Sequence, residues 1–177
     1  GREFRVFKSR DLPVGAKIKD GTNFSRDARG NWFLNVCIEV EQPEQRPMRT
    51  GVGIDLGLKS FAALSNGETI DNPRHFRRLE EKLGKAQRAR KKRQAVNIHA
   101  RIVNTRRDFL HKLSRRLVNE FDYIAVGNVS ASKLAKTSMA KSVADVSWSS
   151  FRAMLAYKAI KHGAWFEEVN ESCSSQV

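Results

Sequence analysis

The chain has 177 residues, 40% of them hydrophobic, and its 33 lysines and arginines against 19 acidic residues give a formal net charge of +14. This composition supports a packed core and excludes wholesale disorder, and without an apolar run of membrane-spanning length we expect a cytoplasmic protein that crosses no membrane. Two cysteines, Cys37 and Cys173, lie outside any CxxC pair, so neither a disulfide framework nor bound zinc is expected in this chain.

The positive charge is concentrated in one segment. Residues 73–116 hold 16 basic and 3 acidic residues, whereas residues 117–177 hold 6 of each. A chain that used lysine and arginine only for solubility would spread the excess evenly. The concentration therefore indicates a polyanionic partner, and it favours nucleic acid over a membrane surface.

The N-terminal part of the sequence is typical of β-structure. Residues 4–7 alternate as a short strand, and a turn cluster at 27–31 is followed by a longer strand over 32–40. We expect residues 1–42 to be the end of a small β-domain, and residues 41–50, with two prolines, to be a linker. Apolar side chains occupy one face of the longer strand at period two: Trp32, Leu34, Val36, Ile38 and Val40.

A second β-segment begins after the linker. Apolar strands are predicted over 52–57 and 61–65, and the Asn-Gly pair at 66–67 is a strong hairpin turn. A third strand follows the turn. Residues 71–73 then predict the start of a helix, because a capping side chain precedes proline.

The second half of the chain alternates between helix and strand. Helical spacing of apolar residues over 76–117 fits two amphipathic helices or one long bent helix equally well. A short apolar run at 123–127 suits a buried parallel strand, residues 148–161 suit a helix, and residues 165–169 return to strand. This order indicates an α/β domain, which we place at 51–177.

Asp55 is the first candidate for chemistry. A carboxylate at the end of an apolar strand is costly to bury unless it binds a cation or accepts hydrogen bonds, and the flanking Gly53 and Gly57 leave room for a ligand. Three interpretations are open: a turn cap, the first strand of an actin-like ATPase, or the first Mg²⁺-binding carboxylate of an RNase H-like nuclease. An ATPase would need small hydroxyl residues after Gly57 and a second glycine-rich loop, which the sequence lacks. The basic segment favours the nuclease.

Three segments make the sequence similar to a known family. Residues 52–59 (VGIDLGLK), 106–114 (RRDFLHKLS) and 141–143 (KSV) with Trp148 closely resemble the TnpB/OrfB family of transposon-encoded proteins. Members of that family are RuvC-like, RNA-guided DNA nucleases related to type V CRISPR effectors. The resemblance begins near Arg26 and continues to the last residue. It implies an RNase H-like (RuvC-like) mixed sheet with an inserted basic helical segment, preceded by the last strands of a wedge-like β-barrel.

The resemblance also implies a site in which three carboxylates hold two Mg²⁺ ions. Asp55 matches the first carboxylate. The second usually ends the strand at 123–127, where this chain has Gly127, and Glu171 after the next strand is the candidate replacement. Asp55 and Glu171 are thus the predicted catalytic and metal-binding residues. The third carboxylate and the zinc-ribbon cysteines of the family would follow residue 177, so this chain alone would lack a complete triad.

Guide RNA and target DNA are the partners that the resemblance implies, with basic residues contacting their phosphates. Trp148 and Phe151 could stack on bases, although their helical spacing favours core packing. The four histidines have no metal-ligand spacing and receive no role. The predicted phosphate-binding residues are Lys59, Arg88, Arg90, Lys91, Lys92, Arg93, Arg106, Arg107, Lys112, Arg115 and Arg116.

The sequence therefore predicts a transposon-associated, Mg²⁺-dependent, RNA-guided DNA endonuclease in its complete form. Gly127 keeps a second interpretation open, a nuclease-inactive relative that retains RNA-guided DNA binding. An actin-like ATPase is the third interpretation, and tight binding of ATP would favour it.

Overall fold

The structure, a computed structural model, describes residues 3, 5–7, 11–127 and 147–169. The chain divides into two compact units, Gly1–Glu41 and Gln42–Val177. The division falls where the sequence changes from a β-rich composition to a proline-containing segment.

The first unit contains an antiparallel hairpin of β1 (Asn23–Arg26) and β2 (Trp32–Asn35). Its turn is held by Asp27, whose carboxylate accepts hydrogen bonds from the backbone N–H groups of Arg29 and Asn31 at 2.9 Å. The side-chain amide of Asn31, followed by these backbone donors, lowers the pKa of Asp27 to about 2. The predicted turn is confirmed.

Other expectations for this unit were wrong. Residues 5–7 form no strand, and β2 ends at Asn35, with an isolated bridge between Ile18 and Ile38 beyond it. The apolar face is not buried, since Trp32 is 67% exposed. A two-stranded hairpin can bury a face only against another layer, and the described residues of this unit supply none.

The second unit is built on a five-stranded mixed sheet in the order β5-β4-β3-β6-β7. The central strand β3 pairs antiparallel with β4 and parallel with β6, and β5 and β7 complete the two sides. The predicted mixed α/β architecture is confirmed. The strands are β3 (Gly51–Leu56), β4 (Ser60–Leu64), β5 (Thr69–Asp71), β6 (Tyr123–Gly127) and β7 (Trp165–Val169).

The described helices are α1 (Arg77–Arg88), α2 (Lys92–Glu120) and α3 (Trp148–His162). The predicted long helical region is therefore two helices, separated at residues 89–91. Arg90 has a φ of +53° there, a backbone conformation incompatible with continued helix.

Helix α1 begins four residues later than the sequence predicted. The side chain of Asn72 does not cap a helix; its Oδ1 accepts a hydrogen bond from the N–H of Arg74 at 3.0 Å and forms a local turn. Arg74 then adopts a φ of +48°, which delays the helix. Capping residues and turn-forming residues are the same residue types, so the pattern alone could not separate the two outcomes.

The core of the second unit joins one face of the sheet to α2 and α3. Along β3, Val52 and Ile54 are buried, whereas Gly53 between them is half-buried and Asp55 is exposed. Phe61 of β4 meets Phe109 of α2 and Phe151 of α3 edge to face, with ring centroids 5.2 Å apart in both pairs. This arrangement leaves the opposite face of β3 outside the core.

Trp148 and Phe151 belong to this core, at 2% and 0% exposure. Their predicted packing role is confirmed, and neither ring is accessible for stacking on a base. Among the described residues, no helix has the length and apolar character that a membrane crossing requires.

Residues 42–50 are not a free linker. The guanidinium of Arg46 donates a hydrogen bond to the carbonyl of Val118 at 2.7 Å. The carboxylate of Asp122 accepts hydrogen bonds from the N–H and the hydroxyl of Thr50 at 3.2 and 3.1 Å. Prolines predict the lack of regular structure here correctly, but they carry no information about long-range contacts, and the segment is tied to the second unit.

Candidate functional site

Asp55 lies near the carboxyl end of β3 and is exposed. Because side chains alternate along a strand, it points away from the face that buries Ile54 and Leu56. The burial cost expected from the sequence does not arise. The carboxylate is instead exposed, on the side of β3 opposite Ile54 and Leu56.

Gly127 lies beside Asp55 on the neighbouring strand. Ile54 pairs with Val126 in the parallel register of β3 and β6, so Asp55 and Gly127 are each one residue further along. The position that would supply a second carboxylate therefore has no side chain. This gap adjoins Asp55 directly.

The strand that leads to Glu171 is the next one in the sheet. β6 pairs with β7, and Gly127 is level with Val169. The predicted neighbourhood of the strands of Asp55, Gly127 and Glu171 is thus present. Glu171 and Cys173 lie outside the described residues.

The described glutamates of β7 have other partners. Glu167 accepts a hydrogen bond from the Tyr123 hydroxyl at 2.6 Å, which raises the pKa of Tyr123. Glu168 is 3.3 Å from Nε of Arg152 on α3. Within the described ranges, no three histidine, cysteine or carboxylate side chains cluster as a metal site. Asp55 supplies one hard oxygen ligand of the kind Mg²⁺ takes, and a complete site needs others.

Lys59 lines a cleft of about 850 Å³ at the same end of the sheet. The strands β3 and β5 both pair antiparallel with β4, so they run in the same direction and end together. We call this end, where β3, β5, β6 and β7 finish, the carboxyl end of the sheet. The cleft continues from the loop after β3 to the connection between β5 and α1, where Arg74, Arg77 and Arg78 line it.

A second group of cations surrounds the interruption between α1 and α2. Its five side chains are exposed, and none has a carboxylate within ion-pair distance among the described residues. A group of uncompensated positive charges at one place is a suitable contact for phosphates. This group, called the break cluster below, consists of Arg88, Arg90, Lys91, Lys92 and Arg93.

The predicted residues further along α2 do not form one surface with the break cluster. A rise of about 1.5 Å per residue separates Lys92 from Arg116 by roughly 36 Å. Lys112 is paired with Asp108 at 2.8 Å, and Arg116 with Glu68 at 2.7 Å. The hydrogen bond from Arg116 to Glu68 also raises the pKa of Arg116. These two cations are already neutralised.

Arg106, Arg107 and Arg115 occupy other positions on α2. Arg106 is half-buried, and Arg107 donates from Nε to Nε2 of His111 at 3.4 Å. Arg115 donates from Nη1 to Nε2 of His162 on α3 at 2.8 Å. Arg107 and Arg115 therefore already have partners at or near the contact between α2 and α3.

That helix contact contains a buried lysine. Lys158 is 5% exposed, and its Nζ donates to the carbonyl of His111 and to Oγ of Ser114, both at 2.7 Å. Desolvation, followed by the charge of Arg115, lowers the pKa of Lys158. Desolvation and the same arginine also lower the pKa of His162. The helix contact is thus polar and rich in positive charge.

Arg74, Arg77 and Arg78 were not predicted as site residues, because the sequence distinguishes them only as part of the charge of 73–116. A sequence signal was present: they directly follow a predicted strand, β5, which runs in the same direction as β3. Recognising them required the strand order, which places that end next to the loop of Lys59.

A family model described as "Probable transposase", OrfB_IS605, matches residues 35–138 of the chain. A protein of Streptomyces pristinaespiralis is 39% identical to this chain over 168 residues. Its name describes it as an inferred RNA-guided DNA endonuclease. The alignment covers 88% of this chain and 42% of that protein.

InsQ of Escherichia coli K12, named in the same way, is 26% identical over 176 residues, which cover 83% of this chain and 44% of InsQ. The chain thus spans less than half the length of these curated relatives. Among solved structures, a chain of the Cas12f1-sgRNA-target DNA complex aligns with a TM-score of 0.46 and 12% identity, covering 88% of this chain and 50% of the other.

Proposed function

Because this chain belongs to the OrfB family of IS605-type transposases, whose model matches residues 35–138, we propose that it is part of an RNA-guided DNA endonuclease. The names of the curated relatives support this proposal. The proposed partners are a guide RNA and a target DNA, and the family match argues against the actin-like ATPase.

The proposed fold of the second unit is RNase H-like, of the RuvC type, with α1 and α2 inserted between β5 and β6. The support is the strand order, in which the strands that carry Asp55 and Gly127 are neighbours and β7 follows. The first unit would then be the end of a wedge-like β-barrel, consistent with a hairpin whose apolar face is not covered by the described residues of that unit.

The observation that carries the proposed activity is the placement of Asp55, exposed at the carboxyl end of the sheet and beside a strand position without a side chain. We propose that Asp55 binds Mg²⁺ and so fixes the position of the phosphodiester to be cut. Bound Mg²⁺ would supply an activated water and stabilise the leaving oxygen. The ion needs oxygen ligands beyond Asp55, because one carboxylate leaves its coordination incomplete.

Glu171 is the proposed second ligand. Val169 is level with Gly127, and Glu171 follows it by two residues. Strands in a sheet are about 4.8 Å apart, a distance that a glutamate side chain can cover. The absence of a side chain at Gly127 leaves the space that such a reach requires.

The break cluster is proposed to bind phosphates of the guide RNA or the target DNA. Its five cations have no carboxylate partner among the described residues, so phosphate contact does not require an existing ion pair to be broken. Contacts of this kind set position and affinity and do not read sequence. Base pairing with the guide would supply the sequence information.

The experiment that tests the activity is Asp55→Asn in the complete protein with its guide. We expect DNA cleavage to fall by at least about 100-fold, since loss even of an outer-shell partner commonly costs 10- to 100-fold. Binding of target DNA should stay within about twofold of wild type, because Asp55 contributes one charge. Asp108→Asn, which removes an exposed carboxylate on α2, is the matched control. Unchanged cleavage by Asp55→Asn would exclude Asp55 from the mechanism.

Gly127 favours one alternative, a relative that binds guide and target but does not cut. The same assay separates the two. If wild-type protein binds target DNA in a guide-dependent manner without cleaving it in Mg²⁺, the binding relative is the correct function.

A further inference from the structure

The contact between α2 and α3 contains a buried polar pair that the proposed function does not use. Lys158 of α3 is 5% exposed, and its Nζ donates to Oγ of Ser114 and to the carbonyl of His111, both at 2.7 Å. We propose that Lys158 and Ser114 set the register of α3 along α2 and so position the carboxyl end of β7, the strand that leads to Glu171. The cleavage part of the test rests on the proposed nuclease function, whereas the packing part does not.

Each of the two helices contributes one polar residue to this buried contact. Ser114 is the one hydroxyl among the buried residues that the structure describes in α2, and the others are aliphatic. The described buried residues of α3 are aromatic or aliphatic apart from Lys158. Apolar helix surfaces of suitable volume can pack in more than one arrangement. A single buried polar pair can select one of them, as polar residues do in coiled coils.

A shift of α3 by one helical turn, about 5.4 Å, would break this pair. Lys158 would then be level with Leu110 or Leu117, which are 2% and 0% exposed and have no side-chain acceptor. Backbone carbonyls occur in every register, so the bond to His111 does not select one. The bond to Ser114 does select one, because a buried amine that loses an acceptor is costly.

The surroundings of Lys158 make Ser114 an acceptor on which it depends. The Ser114 hydroxyl donates to the carbonyl of Leu110 at 2.6 Å, so its lone pairs can accept from Nζ. Among the described residues, no carboxylate lies within ion-pair distance of Nζ. The neighbouring charge of Arg115 is also positive. The two hydrogen bonds of Nζ are therefore the compensation that the described residues give to this amine.

The register of α3 reaches the carboxyl end of the sheet through Arg152. The side chain of Arg152 is 14% exposed, and its Nε lies 3.3 Å from the carboxylate of Glu168. Glu168 pairs with Val126, one residue before the level of Gly127. Because Arg152 and Lys158 belong to one helix, a shift of one turn would move Arg152 away from Glu168. Lys158 is thus a positioning residue for the end of β7.

Stability separates this role from an ordinary packing contact. Lys158→Met in the full chain fills a similar space without a buried amine, so its urea midpoint should be no lower than that of wild type. Ser114→Ala keeps the amine and removes an acceptor, so it should lower the midpoint by at least about 0.5 M. Ser114→Ala combined with Lys158→Met should match Lys158→Met, because no amine then lacks an acceptor.

Thr105→Ala is the matched control for Ser114→Ala. The hydroxyls of Thr105 and Ser114 both donate to the carbonyl four residues earlier, at 2.8 and 2.6 Å. Thr105 is exposed and has no contact with α3 of this kind. Thr105→Ala should therefore change the urea midpoint by less than about 0.2 M.

The register itself is measured by ¹⁹F NMR of the full chain labelled with 5-fluorotryptophan. Trp148 lies on α3 and is 2% exposed, so its resonance should be single and sharp in wild type. In Lys158→Met it should split or broaden at least about twofold, because a core loses its unique arrangement before it loses stability. Trp32, which is 67% exposed in the first unit, should not change and is the internal control.

Cleavage tests the link to the end of β7. In the complete protein with its guide, Lys158→Met should lower the cleavage rate at saturating target at least about tenfold, since a misplacement of about 1 Å can cost about 100-fold. Target affinity should stay within about twofold, because a buried amine neutralises no phosphate. Lys161→Met removes an exposed lysine from the same helix and should keep the wild-type rate.

Four results would overturn the proposal in whole or in part. A lower urea midpoint in Lys158→Met, or its failure to fold, would make Lys158 an ordinary stabilising contact. A single sharp Trp148 resonance in that variant would show that apolar packing alone sets the register. Equal losses in Ser114→Ala and Thr105→Ala would remove Ser114 from the pair. A wild-type cleavage rate together with a split resonance would overturn the positioning role at β7.

These results are separate from failure of the proposed nuclease function, since the urea midpoint and the Trp148 resonance need neither guide nor cleavage. Unchanged cleavage in Asp55→Asn with a split Trp148 resonance in Lys158→Met would keep the register pair and exclude the proposed catalytic site. Lost cleavage in Asp55→Asn with a sharp Trp148 resonance in Lys158→Met would keep the nuclease and exclude the register pair.

Discussion

The break cluster and the carboxyl end of the sheet serve the proposed function through different physics. The break cluster consists of exposed cations at the junction of two helices, whereas Asp55 lies on a strand fixed by neighbours on both sides. Phosphate attraction acts over several ångströms and tolerates loose geometry. Metal coordination requires oxygen atoms at about 2.0–2.1 Å from Mg²⁺. The first region can accumulate charge freely, but the second depends on single residues.

The largest expected effect concerns the carboxyl end. Glu171→Gln in the complete protein should reduce cleavage by at least about 100-fold while leaving the affinity for target DNA unchanged, because a direct metal ligand is worth at least as much as an outer-shell partner. Cleavage rate and filter binding measure the two quantities. The control is Glu167→Gln, which removes a carboxylate that accepts a hydrogen bond from the Tyr123 hydroxyl. Full activity of Glu171→Gln would exclude Glu171 as a metal ligand.

Substitutions in the break cluster should have the opposite effect: they should weaken nucleic-acid binding and leave the cleavage rate at saturation nearly unchanged. Replacing residues 90–93 with glutamine should weaken nucleic-acid binding about tenfold and lower the salt slope on a duplex by about 3.6, at about 0.9 per phosphate, with little change in the cleavage rate at saturation. Salt titration of the affinity checks this. Lys112→Gln with Arg116→Gln should have a smaller effect per charge, because both cations are already paired. An unchanged slope after the first replacement would mean that the break cluster is only a solvated surface.

The smallest expected effect concerns the helix contact that positions α2. Desolvation and Arg115 hold the pKa of His162 below its ordinary value. Below about pH 6.5, His162 is protonated in the unfolded chain but stays neutral in the folded chain. Its contribution to the free energy of unfolding is therefore fully present above about pH 6.5 and is lost as pH falls through the lowered pKa. The urea midpoint should therefore fall more between pH 7 and pH 5 in wild type than in His162→Gln. Glutamine keeps an acceptor for Arg115 and does not titrate. Equal falls would exclude His162 as the cause.

Much of the fold of the second unit could be predicted because its elements are locally encoded. Apolar runs at 52–57 and 123–127 and the Asn-Gly turn at 66–67 are signals within a few residues, and each was confirmed. The start of α1 was not predicted correctly, because the residue types that cap helices also form turns. The linker predicted at 41–50 has no regular structure, but its contacts with the second unit could not be predicted, because they join it to residues more than 70 positions away.

The properties of the candidate site also divide into those that the sequence predicts and those that depend on the tertiary structure. The sequence by itself determined the location of excess charge, the strand that carries Asp55 and the family, since these follow from composition and contiguous motifs. Only the tertiary structure decided which cations are uncompensated: Arg116 is neutralised by Glu68, 48 residues away, while Arg74 and Arg78 stand in a cleft with Lys59. Charge is a property of a residue, but its compensation is a property of its neighbours, and strand order assigns those neighbours.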